Sequence, residues 1–203
     1  AKYESLIDLK AGFHTIVFEE KSSLLSTFTC HLGKFRWLRM PFGLTKAPGH
    51  FQYVVESVIE RAGDNLPCTV YLDDIAVYGD DLDQVLRDTA EVIRRLAQAG
   101  FMINLSKSHL GERQLKILGH KWQSGGTWLP EPTKLEGLLG MTHEQLAKAN
   151  RPSLYGLLNF FREYIPRFAE ITEPVRALLS KDHTEWTIQA TEAVHNAARV
   201  ALG

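Results

Sequence analysis

Residues Thr69–Tyr78 read TVYLDDIAVY, two β-branched and aromatic runs with adjacent aspartates, Asp73 and Asp74, between them. Runs of that composition read as strands, and the break between them as a hairpin turn that holds both carboxylates. Neighbouring carboxylates repel each other, and against apolar strands they also lose hydration. Two readings follow: the pair is solvated at the turn, or a divalent cation sits against it. A metal site wants a further carboxylate from another strand. Asp8, near the end of SLIDLK and before the turn at Gly12, is the candidate. Alone, Asp8 reads equally well as a turn former or a helix cap. Only strand adjacency separates these readings.

Working outward, SLIDLKAGFHTIVFE (Ser5–Glu19) opens as a strand that leads into the Gly12 turn. Residues 24–39 read as two short strands around Gly33, with Lys34, Arg36 and Arg39 interleaved with Phe35 and Trp37. After the RMPFGLTKAP loop, Pro48 suits a helix start. Phe51, Val54, Val55, Val58 and Ile59 follow at helical spacing, predicting an amphipathic helix that ends near Gly63. A second helix is predicted over residues 82–98, capped by Asp81 or Asp83 and closed by Gly100. FMINLSKSHL (Phe101–Leu110) and QLKILGHKWQ (Gln114–Gln123) read as further strands. From about residue 130 prolines interrupt the chain, and helical candidates cover 133–139, 153–164 and 171–180, divided by Gly140, Pro152 and Pro166. The expectation is an α+β unit of about 125 residues and a smaller helical unit, without internal repeats.

The 203 residues suffice for a sizeable core, and 44% hydrophobic with 23% charged residues is ordinary for a globular protein. No apolar run approaches the roughly 20 residues that span a bilayer. The N-terminus, AKYESLIDLKAGF, has no signal-peptide pattern and no initiator Met, so the chain reads as an excised piece. Cys30 and Cys68 match no zinc spacing and read as reduced intracellular thiols. Net charge is −1, split as −3 over residues 1–100 and +2 over 101–203, which leaves a nucleic-acid partner open. No GxxxxGK[ST] loop and no nucleophile–base spacing is present, which argues against a P-loop nucleotidase or a hydrolytic triad.

The ordered set DLKAGFH (Asp8–His14), RMPFGLTKAPGHFQ (Arg39–Gln52), YLDD (Tyr71–Asp74), AGFMINLSKS (Ala99–Ser108) and LGHKW (Leu118–Trp122) closely resembles the reverse transcriptase of gypsy-like long-terminal-repeat retrotransposon Pol polyproteins. LLNFFREYIPRFAEITEPVRALLSKD (Leu157–Asp182) resembles the segment that follows it. The resemblance implies an α+β polymerase palm, an antiparallel sheet backed by helices, over residues 1–125, with a partial fingers insertion at about 20–38. A helical thumb over 126–182 and the start of a connection region over 183–203 would follow. It implies RNA-directed DNA polymerase activity with two Mg²⁺ ions, or Mn²⁺ as a substitute, held by Asp8, Asp73, Asp74 and the carbonyl of Leu9. Ala11, Gly12, Phe13, Phe42, Gly43 and Lys107 would contact the incoming deoxynucleoside triphosphate. Phe13 would block a ribose 2′-OH, Phe42 would pack beneath the base pair, and Lys107 would lie near the leaving pyrophosphate. Tyr71 would meet the primer–template duplex, and Leu118, Gly119 and His120 would hold the primer 3′ end. Expected partners are an RNA template, a DNA primer and their hybrid, with no membrane, in an intracellular setting such as a cytoplasmic retrotransposon particle.

The chain departs from the pattern in places. The likeness begins almost at Asp8, whereas such enzymes carry much of the fingers before it. Thr15 stands where Gln is common, Gly49–His50 where Ala–Thr is common, and Gly140–Pro152 fits loosely. It stops near where a ribonuclease H region would begin, so no RNA-degrading site is expected. Association with a separate fingers or ribonuclease H segment, or with a second subunit, would complete it. The competing expectation is a remnant or host-adopted palm–thumb module that binds metal or nucleic acid without polymerising.

Overall fold

Strand β1 (Tyr3–Lys10) is the spine of the first of two units in the computed structural model, which describes residues 1–60, 66–179 and 185–203. This unit comprises Ala1–Ile117 and Gln123–Gly126. One edge of β1 pairs antiparallel with β5 (Asp74–Gly79), and β5 pairs with β4 (Cys68–Tyr71). The other edge pairs with β6 (Met102–Ile103) near its end and with β7 (His109–Glu112) near its start. Strand β8 (Gln114–Ile117) follows.

Side chains alternate across a sheet, so register decides which residues share a face. Ile7 lies opposite Ile75 and Ser5 opposite Val77, on the face backed by α2 (Ala47–Glu60) and α3 (Leu82–Gln98). Phe51, Val55 and Ile59 of α2 and Val92 and Leu96 of α3 are buried there with Ile7, Leu9, Ile75 and Val77. Each such side chain contributes about 1.5–3 kcal/mol on burial. Leu6 opposite Ala76 and Asp8 opposite Asp74 take the other face.

The helix over residues 82–98 forms as expected. Asp81 is its cap, accepting the Gln84 N–H at 2.8 Å, and Gly100 (φ 89°) follows its end. The two strands around Gly33 are β2 (Phe28–Cys30) and β3 (Gly33–Phe35). A short helix unforeseen in the sequence, α1 (Glu20–Leu25), precedes them, its Ser23 hydroxyl donating to the Trp37 carbonyl at 2.6 Å. The expected end of α2 near Gly63 falls outside the described residues.

The second unit comprises Leu118–Trp122 and Thr127–Gly203. Strands β9 (His120–Gln123) and β10 (Thr127–Pro130) precede α4 (Pro132–Leu139). Pro130 ends β10, an edge strand, where a missing N–H spoils no ladder. Helix α5 (His143–Lys148) lies in a stretch that had matched no pattern well. It is held by a capping box between Thr142 and Gln145, a signature readable in THEQ. Pro152 opens α6 (Arg151–Phe160) rather than dividing helices, because a first-turn residue needs no N–H bond. The helix expected over 171–180 is two pieces, α7 (Phe168–Ile171) and α8 (Glu173–Ala177), and residue 180 lies outside the described residues, as do 181 and 182 of the resembling segment. Helix α9 (Ile188–Leu202) supplies Ala190, Val194, Ala197, Ala198 and Ala201 to the core, against Leu135, Leu158, Phe161 and Val175. Among the described residues no helix is long and apolar enough to cross a membrane.

Candidate active site

The Tyr71–Asp74 pairing of β4 with β5 makes Leu72 and Asp73 the two turn residues. This corrects the expectation that both aspartates occupy the turn: Asp74 is the first residue of β5. Leu72 has φ 53°, an unfavourable left-handed backbone for a bulky side chain, tolerated where the surrounding ladder over-determines the turn.

Asp8 and Asp74 are direct cross-strand partners. The Leu9 N–H donates to the Asp73 carbonyl at 3.4 Å, the bond that flanks a non-hydrogen-bonded pair. In such pairs the Cα atoms stand roughly 4.5 Å apart and the side chains are closer than elsewhere in the ladder. Like charges there are destabilising. Three carboxylates from two distant segments thus meet at one end of the sheet. Burial pushes the Asp73 carboxyl above the usual carboxylate range, and the charges of Asp8 and then Asp74 push it further. Burial and then Asp8 do the same to Asp74. One Asp73 oxygen, Oδ1, is buried without a hydrogen-bond partner. It lies 3.1 Å from where a Cβ on Gly12 would stand, and that Cβ would also fall 2.7 Å from Phe51 Cζ. Only glycine fits between ring and carboxylate.

A hard cation such as Mg²⁺ takes oxygen donors, commonly one or two carboxylates with water and phosphate. The three aspartates fit that chemistry, and the orphaned Asp73 oxygen is a donor without a partner. Among the described residues no group of three or more His, Cys, Asp or Glu side chains is arranged to hold a metal ion.

Around them, Ala11 is exposed with φ 53°, Gly12 is buried, and Gly12–Thr15 forms a 3₁₀ turn. Phe13 is 7% exposed, stacked on Phe51 with ring centroids 4.5 Å apart and 5.2 Å from Phe42. Phe42 also sets its ring against His14 and is 66% exposed. Gly43 has φ 90° and nothing within 4 Å of a built Cβ. Tyr71 and Lys107 are exposed, and Leu9 is buried and pairs with Ile103. In the second unit, Leu118 (φ 51°) and Gly119 (φ 81°) lead into His120. The His120 ring stacks on Phe160 at 4.8 Å, and its Nδ1 lies 2.9 Å from the Tyr164 hydroxyl.

Three residues of the neighbourhood had not been anticipated. Phe51, read only as part of an apolar stripe, stacks on Phe13 and lies against Gly12. Asn104 and Ser108 hydrogen-bond to the backbone of Asp8. Nothing local marks the last two, because their partner lies about 100 residues away.

The family model for reverse transcriptase (RNA-dependent DNA polymerase) matches residues 1–122. The chain is similar to the retrovirus-related Pol polyprotein from transposon 297 of Drosophila melanogaster, 33% identical over 180 residues, covering 89% of this chain and 17% of that protein. It is 29% identical over 191 residues to the transposon Tf2-3 polyprotein of Schizosaccharomyces pombe, covering 94% of this chain and 14% of that one. Foamy viral protease-reverse transcriptase in complex with RNA/DNA hybrid superposes with a TM-score of 0.84 at 25% identity, over 98% of this chain and 27% of that one. The complex of the foamy viral protease-reverse transcriptase with double-stranded DNA gives 0.81 over 99% of this chain and 35% of that one. The chain therefore spans a minor part of each relative's length. With an α+β polymerase fold and the family's motifs in order, the chain belongs to the reverse transcriptase (RNA-dependent DNA polymerase) family.

Proposed function

We propose that this chain is the palm and thumb portion of an RNA-directed DNA polymerase that extends a DNA primer on an RNA template. Residues 1–125 would be the palm with part of the fingers at about 20–38, residues 126–182 the thumb, and 183–203 the start of a connection. The observation that carries the reading is the opposed pair Asp8–Asp74 with Asp73 at the adjoining turn. A fold has no stability reason to gather three repelling carboxylates. Asp8, Asp73, Asp74 and the Leu9 carbonyl would hold two Mg²⁺ ions. When bound, these supply acidification of the primer 3′-OH and neutralisation of charge on the leaving pyrophosphate. The bond from primer O3′ to the α-phosphorus forms as the bond to pyrophosphate breaks, and no protein nucleophile takes part. Ala11 and Gly12 would place backbone beside the triphosphate, and Lys107 its ammonium near the departing phosphates. Phe42 and Gly43 would lie below the nascent pair, while Tyr71 and the Leu118–His120 turn would hold primer–template. The solved foamy viral relative in complex with RNA/DNA hybrid supports a hybrid as the partner.

Primer extension on an oligonucleotide-primed RNA template with Mg²⁺ and deoxynucleotides tests this. Incorporation supports it. A second reading is a module that binds hybrid without polymerising. It predicts salt-sensitive hybrid binding with no incorporation.

Phe13 gives a sharper test. A flat ring under C2′ leaves no room for a hydroxyl, so Phe13→Ala should raise ribonucleotide incorporation relative to deoxynucleotide by about tenfold or more. Because Phe13 also packs on Phe51, the change costs roughly 3 kcal/mol of stability. Phe13→Val, which fills more of the space, serves as the second variant. Unchanged discrimination in both removes Phe13 from the nucleotide site.

A further inference from the structure

The edge of β1 that faces β6 and β7 is interrupted at one residue. Its partners are Glu112 and His109 for Glu4 and Leu6, with a register shift between them, then Ile103 and Met102 for Leu9 and Lys10. At Asp8 neither strand supplies both bonds. The β6–β7 connection does so instead. The Asn104 N–H donates to the Asp8 carbonyl at 2.8 Å, and the Asp8 N–H donates to the Ser108 hydroxyl at 3.1 Å. The Ser108 hydroxyl proton goes to the Asn104 carbonyl at 2.9 Å, and that carbonyl also accepts the N–H groups of Lys107 (3.1 Å) and Ser108 (3.0 Å). The Ser106 hydroxyl donates to Asn104 Oδ1 at 2.8 Å, tightening the same turn.

We infer that the Asn104–Ser108 turn is a positioning device for the catalytic site, with Ser108 as the residue that fixes the Asp8 backbone and ties it to the turn bearing Lys107. The inference rests on the polymerase reading. A serine hydroxyl is the part suited to this place, since it accepts from Asp8 and donates to Asn104 at once. No backbone group does both. Without it the Asp8 N–H loses its partner, and Asp8 gains freedom to rotate away from Asp73 and Asp74. Ser108 touches neither nucleotide nor metal in this role. It acts through Asp8 and through the position of Lys107.

Groups that orient metal ligands from behind typically change metal affinity or activity 10- to 100-fold when removed. The probe is Mn²⁺ alone, titrated into the full chain and followed by its paramagnetic resonance signal, with primer extension measured in parallel. Ser108→Ala should weaken Mn²⁺ binding roughly tenfold or more and lower kcat, while hybrid affinity stays at the parent value. Ser108→Thr, which keeps the hydroxyl, should restore both, whereas the isosteric Ser108→Val should not. Amide exchange at Asp8 should accelerate in the Ala and Val variants and not in Thr. Equal Mn²⁺ affinity in parent, Ala and Val variants overturns the inference and leaves the polymerase reading intact. A parent chain that binds no Mn²⁺ and incorporates nothing overturns both. If Ser108→Ala lowers only thermal stability and leaves Mn²⁺ binding and kcat at the parent values, the turn is structural and the inference is wrong.

Discussion

Asp73→Asn is expected to lower primer extension by roughly 10³-fold, the effect of removing several kcal/mol of transition-state charge stabilisation. The substitution keeps the shape of the turn, so the Leu9 N–H to Asp73 carbonyl bond and the Tyr71–Asp74 pairing should survive. What disappears is the charge. Asp73 lies where burial and two neighbouring carboxylates already disfavour ionisation, so the metal-free variant should be at least as stable as the parent. The two measurements have opposite signs, which separates a functional carboxylate from a structural one. Steady-state incorporation and chemical denaturation in metal-free buffer check them together. A variant that loses stability while retaining activity would place Asp73 in the scaffold and end the assignment.

The second large effect concerns stability and a residue outside the chemistry. Glu4 lies on β1 opposite Tyr78, next to Glu112 on the other side, and is 5% exposed. Burial raises its carboxyl to about 7, with the Ala1 ammonium acting weakly in the opposite direction. Between the ordinary value of 4.5 and about 7 the folded chain therefore holds a proton that the unfolded chain has lost. Stability falls as pH rises through that window and levels off above it. Glu4→Gln should remove this loss and stabilise the fold at pH 8 by on the order of 2 kcal/mol, the shift being discounted because Glu4 sits near the end of its strand. At pH 4 the variant and parent should differ little. Denaturant unfolding at the two pH values checks this, and a constant difference across the range would show that packing, rather than ionisation, distinguishes them.

The region around Gly33 illustrates how far local pattern reaches. The β2–β3 hairpin around Gly33 was legible from turn chemistry, as were the apolar stripe of α2 and the Asp81 cap of α3. In the second unit, α9 passed unnoticed because its buried stripe is mainly alanine, which carries little hydrophobic contrast. The break between α7 and α8 was missed for a different reason. Pro174, which has no N–H to continue the ladder of α7, sits in the first turn of α8, and the helix expected over 171–180 ran through it.

What the sequence by itself determined is the family and the residues of a candidate site: adjacent aspartates between two strands, a third aspartate before a glycine turn, and motifs in the order of one polymerase family. These are carried by residue type and spacing along the chain, which local propensity and motif order both read. Only the tertiary structure decided that Asp8 stands opposite Asp74, that Asp73 and not Asp74 is in the turn, and that Ser108 holds the Asp8 backbone. Those facts depend on strand register across 66 and 100 residues of chain. Register is settled by which side chains the helices bury on the opposite face, and a slip of β1 by one residue would turn Asp8 toward the core.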